Sequence, residues 1–355
     1  MRIGIPREIK VREGRVGLVP CACGDLVRAG HRVALESGAG DASGFPDERY
    51  TELGVEILPD AEALYGESEL VVKVKEPVDP EIGLLRPDHL LFCFLHLAAN
   101  PDLMRRLLEI GLTAVAFETV QEGGGLPILA PMSDIAGRIG VQVGATLLHR
   151  HAGGRGLLLG GVPAAERGRV VVLGAGHAGG NAARAAAALG AEVVVFDKSP
   201  PKLQEMHRAG LNVTALYPYD ERIDMEIRQA DLLVGAVLVP GAEAPHLVRA
   251  DQVAGMRPGS VIADISVDQG GCIETTRPTT YENPTYRVSD VVHFAVTNMP
   301  GAVPRTASVA LSASLFPYVL AMAGEDWRVH PALRAGLNVQ AGELIHPALR
   351  GLLSN

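Results

Sequence analysis

Apolar residues in this chain gather into short β-branched and leucine-rich runs, and between those runs they recur at helical spacing. In the first third, Arg2–Pro6, His31–Glu36, Glu69–Val74, Leu90–Leu95 and Leu112–Phe117 read as strands. Gly24–Ala29, stopped by Gly30, the polar stretch 47–54 and Pro101–Ile110 read as helices. From Pro131 the period turns helical up to the Gly153–Gly154 pair, with Ser133 or Asp134 as the expected N-cap. Strand and helix then alternate again: strands at Val170–Leu173, Glu192–Phe196, Asp231–Gly235, Ser260–Ile265 and Val291–Val296, helices at Ala178–Leu189 and Pro201–Ala209. A last apolar helix, Ala307–Ala323, is long enough to return the chain to the first lobe.

Two α/β lobes, each a doubly wound parallel sheet, follow from this pattern. The expected domains are 1–130 with 307–355, and 131–306. Composition agrees, since 355 residues with 47% hydrophobic and 21% charged suffice for about two globular domains. Net charge −9 without a basic run argues against nucleic acid or an anionic membrane as partner. No apolar signal core and no long uncharged span appear, so a cytoplasmic protein is expected. Cys21, Cys23, Cys93 and Cys272 fit neither a disulfide framework nor a C-x-x-C metal site, and no metal-ligand spacing appears in the chain, so a bound metal is neither predicted nor excluded.

The segment 169–197 carries the most specific chemistry. Gly174, Gly176 and Gly179 follow a buried strand and open a helix. In that spacing the first glycine permits the tight turn, the second admits a pyrophosphate to the backbone, and the third lets helix and strand approach. Asp197 ends the next strand, where a carboxylate accepts hydrogen bonds from a ribose diol and repels a 2′-phosphate, so NAD is expected rather than NADP. His177, inside the turn, reads more simply as a solvent-pointing side chain than as a phosphate contact.

Dehydrogenation of an amino or hydroxy acid needs a cation for the carboxylate, a polarising group and an acid/base near neutrality. Arg15, Lys75 and His96 supply these types at expected loop positions of one lobe. Taken singly, each has an ordinary alternative: Arg15 a surface charge, Lys75 a partner of Glu76, His96 a strand-end cap. Asp268 in DQGG and Asn298 in TNMPG follow expected strands and are further site candidates.

The segments IGIPREIK, VVKVKEP, FCFLHLAANP, APMSDIAGR, VVVLGAGHAGGNAA, AVLVPGAEAPHLV, ADISVDQGGCIETTRPTTYENPTY and VHFAVTNMPGAVPRT are collinear with a known pattern. Along nearly its whole length the chain resembles the alanine dehydrogenases, and more distantly the NAD-binding subunit of proton-translocating transhydrogenase. The resemblance implies a Rossmann NAD-binding domain and a discontinuous, flavodoxin-like substrate domain. It also implies reversible NAD-dependent deamination of L-alanine to pyruvate and ammonia, a role in amino-acid catabolism, and a homo-hexamer. Carried over by motif, Arg15 and Lys75 bind substrate, and His96 and Asp268 are catalytic. The NAD positions would be Ser133, Gly174, Gly176, His177, Ala178, Gly179, Asp197, Lys202, Val237, Leu238, Ile265, Ser266, Val267, Asp268, Arg277, Val296, Thr297, Asn298 and Met299. The other reading, a transhydrogenase-like or non-catalytic NAD(H)-binding subunit, is disfavoured because Lys75, His96 and Asp268 are all present.

Overall fold

The structure, a computed structural model, describes residues 1–237, 245–324 and 326–351. The chain divides into two compact units, Met1–Met132 with Gly301–Asn355, and Ser133–Pro300. The second break lies at 300/301 rather than the expected 306/307. Pro304 supplies the first residue of the return helix, where its fixed φ suits a helix start and its missing N–H costs nothing.

The elements of the first unit begin with β1 (Arg2–Ile5), α1 (Pro20–Arg28), β2 (Arg32–Glu36), α2 (Asp47–Thr51), β3 (Glu56–Leu58) and α3 (Ala61–Glu67). They continue through β4 (Leu70–Val72), α4 (Asp79–Ile82), β5 (Leu90–Cys93), α5 (Pro101–Ile110) and β6 (Thr113–Ala116). Helix α6 (Ala130–Leu147) carries the chain into the second unit. There follow β7 (Arg169–Leu173), α7 (His177–Ala188), β8 (Glu192–Phe196), α8 (Pro200–His207), β9 (Val213–Leu216) and α9 (Asp220–Gln229). Then come β10 (Leu232–Gly235), α10 (Ala250–Ala254), β11 (Val261–Asp264), β12 (Thr285–Val288) and β13 (Val291–Phe294). The first unit is completed by α11 (Pro304–Met322), α12 (Pro331–Gly336), β14 (Leu337–Gln340), β15 (Glu343–Leu344) and α13 (Pro347–Arg350).

In the first unit the sheet runs β15-β14-β6-β5-β4-β1-β2-β3. Strands β1 to β6 pair in parallel, and β14 joins β6 antiparallel. The five strands expected from the sequence run β2-β1-β4-β5-β6, which is the 2-1-3-4-5 order of a flavodoxin-like sheet. The three-residue β3, which the pattern reading passed over, extends that order at the β2 edge. Order reverses between β1 and β4. Right-handed crossovers on either side of such a reversal put helices on opposite faces and leave a crevice beyond the carboxyl ends of the two strands.

The second unit repeats the logic. Its order, β12-β13-β11-β10-β7-β8-β9, is the 3-2-1-4-5-6 arrangement of a Rossmann sheet with β12 added antiparallel, and it reverses between β7 and β10. Strands β7, β10 and β11 are buried along nearly their whole length, as a sheet covered on both faces requires.

Local signals set several boundaries as expected. Helix α5 starts where the Asn100 side chain accepts from Leu103 N–H, with Pro101 in its first turn, and stops at Gly111 with φ 77°. Its inner face, Leu103, Met104 and Leu107, packs into the core with β5 and β6. Two expectations are corrected. Helix α1 begins at Pro20, four residues before Gly24, because proline suits the first helical position. Helix α6 begins at Ala130, so Ser133 and Asp134 lie inside the helix rather than capping it. Asp134 instead takes hydrogen bonds from another helix.

Candidate functional site

In the first unit, the predicted substrate residues all follow the carboxyl ends of adjacent parallel strands: Arg15 after β1, Lys75 after β4, His96 after β5. That is the crevice edge of the sheet, and β1 and β4 flank the reversal.

Arg15 is no surface charge, being only 3% exposed. Its guanidinium grips the Glu13 carboxylate side-on, through Nε at 2.6 Å and through Nη2, and Nη1 lies 3.3 Å from Met132 Sδ. The loop beneath it is pinned by the return helix: Val16 N–H donates to Ser308 Oγ and Val19 N–H to Ser312 Oγ. A buried guanidinium of this kind carries its own counter-charge.

Lys75 is half-buried, and among the described residues its ammonium has neither a hydrogen-bond nor an ion-pair partner. Glu76, its suggested partner, is ion-paired with Lys10. The Lys75 backbone, by contrast, is fully engaged. Its N–H donates to Glu8 Oε2 at 3.3 Å and its carbonyl accepts from Lys73 Nζ at 3.0 Å. Glu8, Lys73 and Glu81 form a buried charged trio, with Lys73 Nζ 3.1 Å from each carboxylate. Burial pushes the Glu8 carboxyl upward, against the opposing pull of the Lys73 ammonium and the Val74 N–H.

His96 stands in the left-handed region at φ 47°, an uncommon conformation for a residue with a Cβ. Glu118 from the turn after β6 holds it there, accepting the His96 N–H at 2.7 Å and the Leu95 N–H at 3.2 Å. The imidazole stacks on Phe94 at 5.7 Å and 2°, with Nδ1 3.9 Å from Glu118 and its side chain 44% exposed. It caps nothing. The ring is therefore oriented yet open to solvent, as a proton-transfer group must be.

In the second unit, the glycine turn lies at the other reversal. Gly174 has φ 93°, and a Cβ there would meet Ala236 O at 2.5 Å. A Cβ on Gly179 would lie 1.8 Å from Gly174 O, so only glycine allows α7 to pack this close to the strand ends. Gly176 has nothing within 4 Å of the place a Cβ would occupy. The turn is thus tight below and open above, a cradle at a helix N-terminus that fits a pyrophosphate.

Asp197 accepts from Ala175 N–H at 2.7 Å and Ser199 N–H at 2.8 Å, with Lys202 Nζ 3.8 Å away. A carboxylate has about four lone-pair positions, so two hydrogen bonds leave acceptor capacity for a ribose diol. His177 Nδ1 lies 3.1 Å from Asp134 Oδ1, which also accepts from Asn181 at 2.8 Å. These bonds tie α6, next to Ser133, to the turn that holds Ala178.

The remaining candidates sit around the ends of β10, β11 and β13. Val237 N–H donates to Ser266 Oγ at 2.9 Å, and Ser266 N–H to Asp264 Oδ1 at 3.0 Å. Asp264, which the sequence reading missed, is the organiser here: it also accepts from Cys272 N–H at 3.0 Å and Thr276 Oγ1 at 2.7 Å. Burial pushes its carboxyl upward against those hydrogen bonds. The short helical turn it starts, Ile265–Gln269, buries Ser266 and Val267 and leaves Asp268 exposed, its carboxylate without a hydrogen-bond partner among the described residues. Arg277 lies over the Tyr286 ring at 4.3 Å. Val296 and Met299 are buried, Thr297 and Asn298 half-buried, Asn298 at φ 62°. Leu238 lies outside the described residues. Among the described residues, no group of three or more His, Cys, Asp or Glu is arranged to hold a metal. No helix of the described residues is long and apolar enough to cross a membrane.

Sequence reasoning missed Glu8, Glu13, Lys73, Glu118 and Asp264. One signal was available: a lysine inside the apolar run LVVKV implies a buried partner, because an unpaired ammonium is not tolerated there.

The family described as alanine dehydrogenase/PNT, N-terminal domain, matches residues 4–136, and its C-terminal domain matches residues 140–347. The alanine dehydrogenase of Mycolicibacterium smegmatis is 46% identical over 98% of this chain and 96% of its own length. That of Bacillus subtilis is 45% identical, over 98% and 94%. A solved L-alanine dehydrogenase superposes with a TM-score of 0.96 at 49% identity, covering 99% of both chains. A transhydrogenase from Sinorhizobium meliloti shares the fold, with a TM-score of 0.85 at 24% identity.

Proposed function

Because this chain belongs to the alanine dehydrogenase/PNT family, we infer that it is an NAD-dependent amino-acid dehydrogenase, interconverting L-alanine with pyruvate and ammonia. The observation that carries the reading is the joint placement of Arg15, Lys75 and His96 at neighbouring strand ends, with an ammonium not neutralised by any hydrogen-bonding carboxylate. Of the two cations, Arg15 is already offset by Glu13. Lys75 therefore supplies the net positive charge that draws in a small carboxylate, and Arg15 supplies direction.

NAD, when bound, would supply the acceptor for a hydride from the substrate α-carbon. The glycine turn, Asp197 and the turn Ile265–Asp268 are the groups of this chain that would hold it. Water must then add to the resulting iminium carbon and ammonia must leave. His96 takes the proton of that water, and its backbone bond to Glu118 keeps the ring oriented while it does so. Asp268, exposed and without a hydrogen-bond partner among the described residues, is assigned to the proton transfer that accompanies loss of ammonia.

The direct test is absorbance at the NADH band after purified protein is mixed with L-alanine and NAD. Growth of that band supports the reading, and a flat trace with NADH still bound would leave a nucleotide-holding protein. For the cofactor, Asp197→Ala is expected to raise the KM for NADH and to lower the preference for NADH over NADPH, since both the tether to Ala175 and the repulsion of a 2′-phosphate are lost. An unchanged ratio of the two kcat/KM values would remove Asp197 from the ribose site.

We also propose a cytoplasmic homo-hexamer. Four unpaired thiols suit a reducing compartment, and Leu158, Leu189 and Leu211 of the second unit are exposed apolar surface that a second copy would cover. Light scattering should give about six times the 37.4 kDa chain mass. A monomer mass at working concentration overturns this.

A further inference from the structure

Just past β4 the Lys73 N–H still pairs with the Phe92 carbonyl, but the two backbone N–H groups after it, Val74 and Lys75, point at one side chain. Glu8, from the exit of β1, accepts Val74 N–H on Oε1 at 2.6 Å and Lys75 N–H on Oε2 at 3.3 Å. The same Oε2 accepts Lys73 Nζ at 3.1 Å, and Lys73 Nζ turns back to donate to the Lys75 carbonyl at 3.0 Å. Lys75 is thus held by both polar groups of its own backbone, while its ammonium stays uncommitted.

The holding device is costly. Glu8, Lys73 and Glu81 have side chains no more than 3% exposed, and two carboxylates share one ammonium. Aliphatic residues of the same volume would fill this part of the core at no electrostatic penalty. What they would not do is accept two adjacent N–H groups and donate to a carbonyl at the foot of a functional side chain. Glu81 closes the arrangement from the far side, accepting Val78 N–H at 3.0 Å and Tyr65 Oη–H at 3.2 Å. The whole segment from Lys73 to Val78 is pegged, at the crevice between β1 and β4.

We propose that Glu8, acting with Lys73, is the positioning residue for Lys75, fixing where the substrate carboxylate is received. This rests on Lys75 being the carboxylate-binding cation. Glu8 does not touch the substrate; it sets the root from which the Lys75 side chain extends, and a displacement of about 1 Å at such a root can cost as much as 10²-fold in rate.

The test is a double-mutant cycle on steady-state kinetics of the whole enzyme in the pyruvate-reducing direction. Glu8→Gln replaces an acceptor oxygen with an NH2 donor, so at least one of the three bonds is lost. It is expected to raise the KM for pyruvate by about tenfold, with the KM for NADH within about twofold of wild type. In a Lys75→Ala background the same substitution should add almost nothing, because the group it positions is gone. Glu8→Asp, which keeps the charge but withdraws it by one methylene, serves if the Gln variant folds poorly and should show the same split in milder form. Asn212→Ala is the control: it unpairs the Ala187 and Ala191 carbonyls beside the amino end of β8, in the other unit, so melting temperature should fall while the KM for pyruvate stays put. The proposal is overturned if both Glu8 variants leave the KM for pyruvate unmoved, or if the penalty is as large without Lys75 as with it. Wild-type protein that reduces no pyruvate would instead overturn the assignment of the reaction itself.

Discussion

Substituting His96 is expected to lower turnover by about 10²-fold or more while NADH binding, followed by fluorescence titration, stays at the wild-type value. The variant matters, because His96 occupies the left-handed region at φ 47°. Alanine at such a position adds backbone strain that would blur the result. Asparagine tolerates the same φ and does not titrate near neutrality, so His96→Asn isolates the loss of the acid/base from any loss of fold. Its melting temperature should match wild type and its kcat should not. An Asn variant turning over at close to the native rate would mean that the ring stacked on Phe94 is not the proton carrier.

Lys75→Met is the second large effect. Methionine keeps most of the packing of the lysine stem and removes only the charge. A hydrogen bond to a charged group contributes about 1.5–3 kcal/mol, so kcat/KM for pyruvate should fall by about 10- to 100-fold. Stability should hardly change, because the ammonium makes no hydrogen bond or ion pair among the described residues, only a longer-range attraction to the Glu76 carboxylate that Lys10 already pairs. Arginine is not expected to rescue, since a planar guanidinium does not reproduce a compact ammonium. If Lys75→Met leaves kcat/KM within twofold of wild type, the carboxylate is received elsewhere and the role proposed for Glu8 goes with it.

These predictions draw on two kinds of information. The glycine turn could be read directly because its parts are neighbours in the chain: strand, three glycines, helix and acid lie between Arg169 and Asp197. Helix α5 was equally readable, with Asn100, Pro101 and Gly111 marking its ends by local chemistry. The strands β3 and β9 were passed over, since a strand of three or four residues with polar members has no periodicity to detect. Asp134 has the residue type of an N-cap, and only the three-dimensional fold shows that the helix starts earlier and that Asp134 accepts from His177 and Asn181 instead.

The supporting carboxylates were invisible for a different reason. Glu8 meets the backbone of Lys75 across 67 positions, and Glu118 meets His96 across 22, so no local window contains both partners. The amino-acid order was enough for the class of fold and the nucleotide turn, because those depend on interactions within a few residues, while the candidate reactive side chains came from chemical type together with the family resemblance. Which charges would be neutralised, which left available, and what holds each at the mouth of its crevice depended on strands far apart in the chain lying side by side. Burial then makes every such carboxylate choose a partner that only proximity in space can provide.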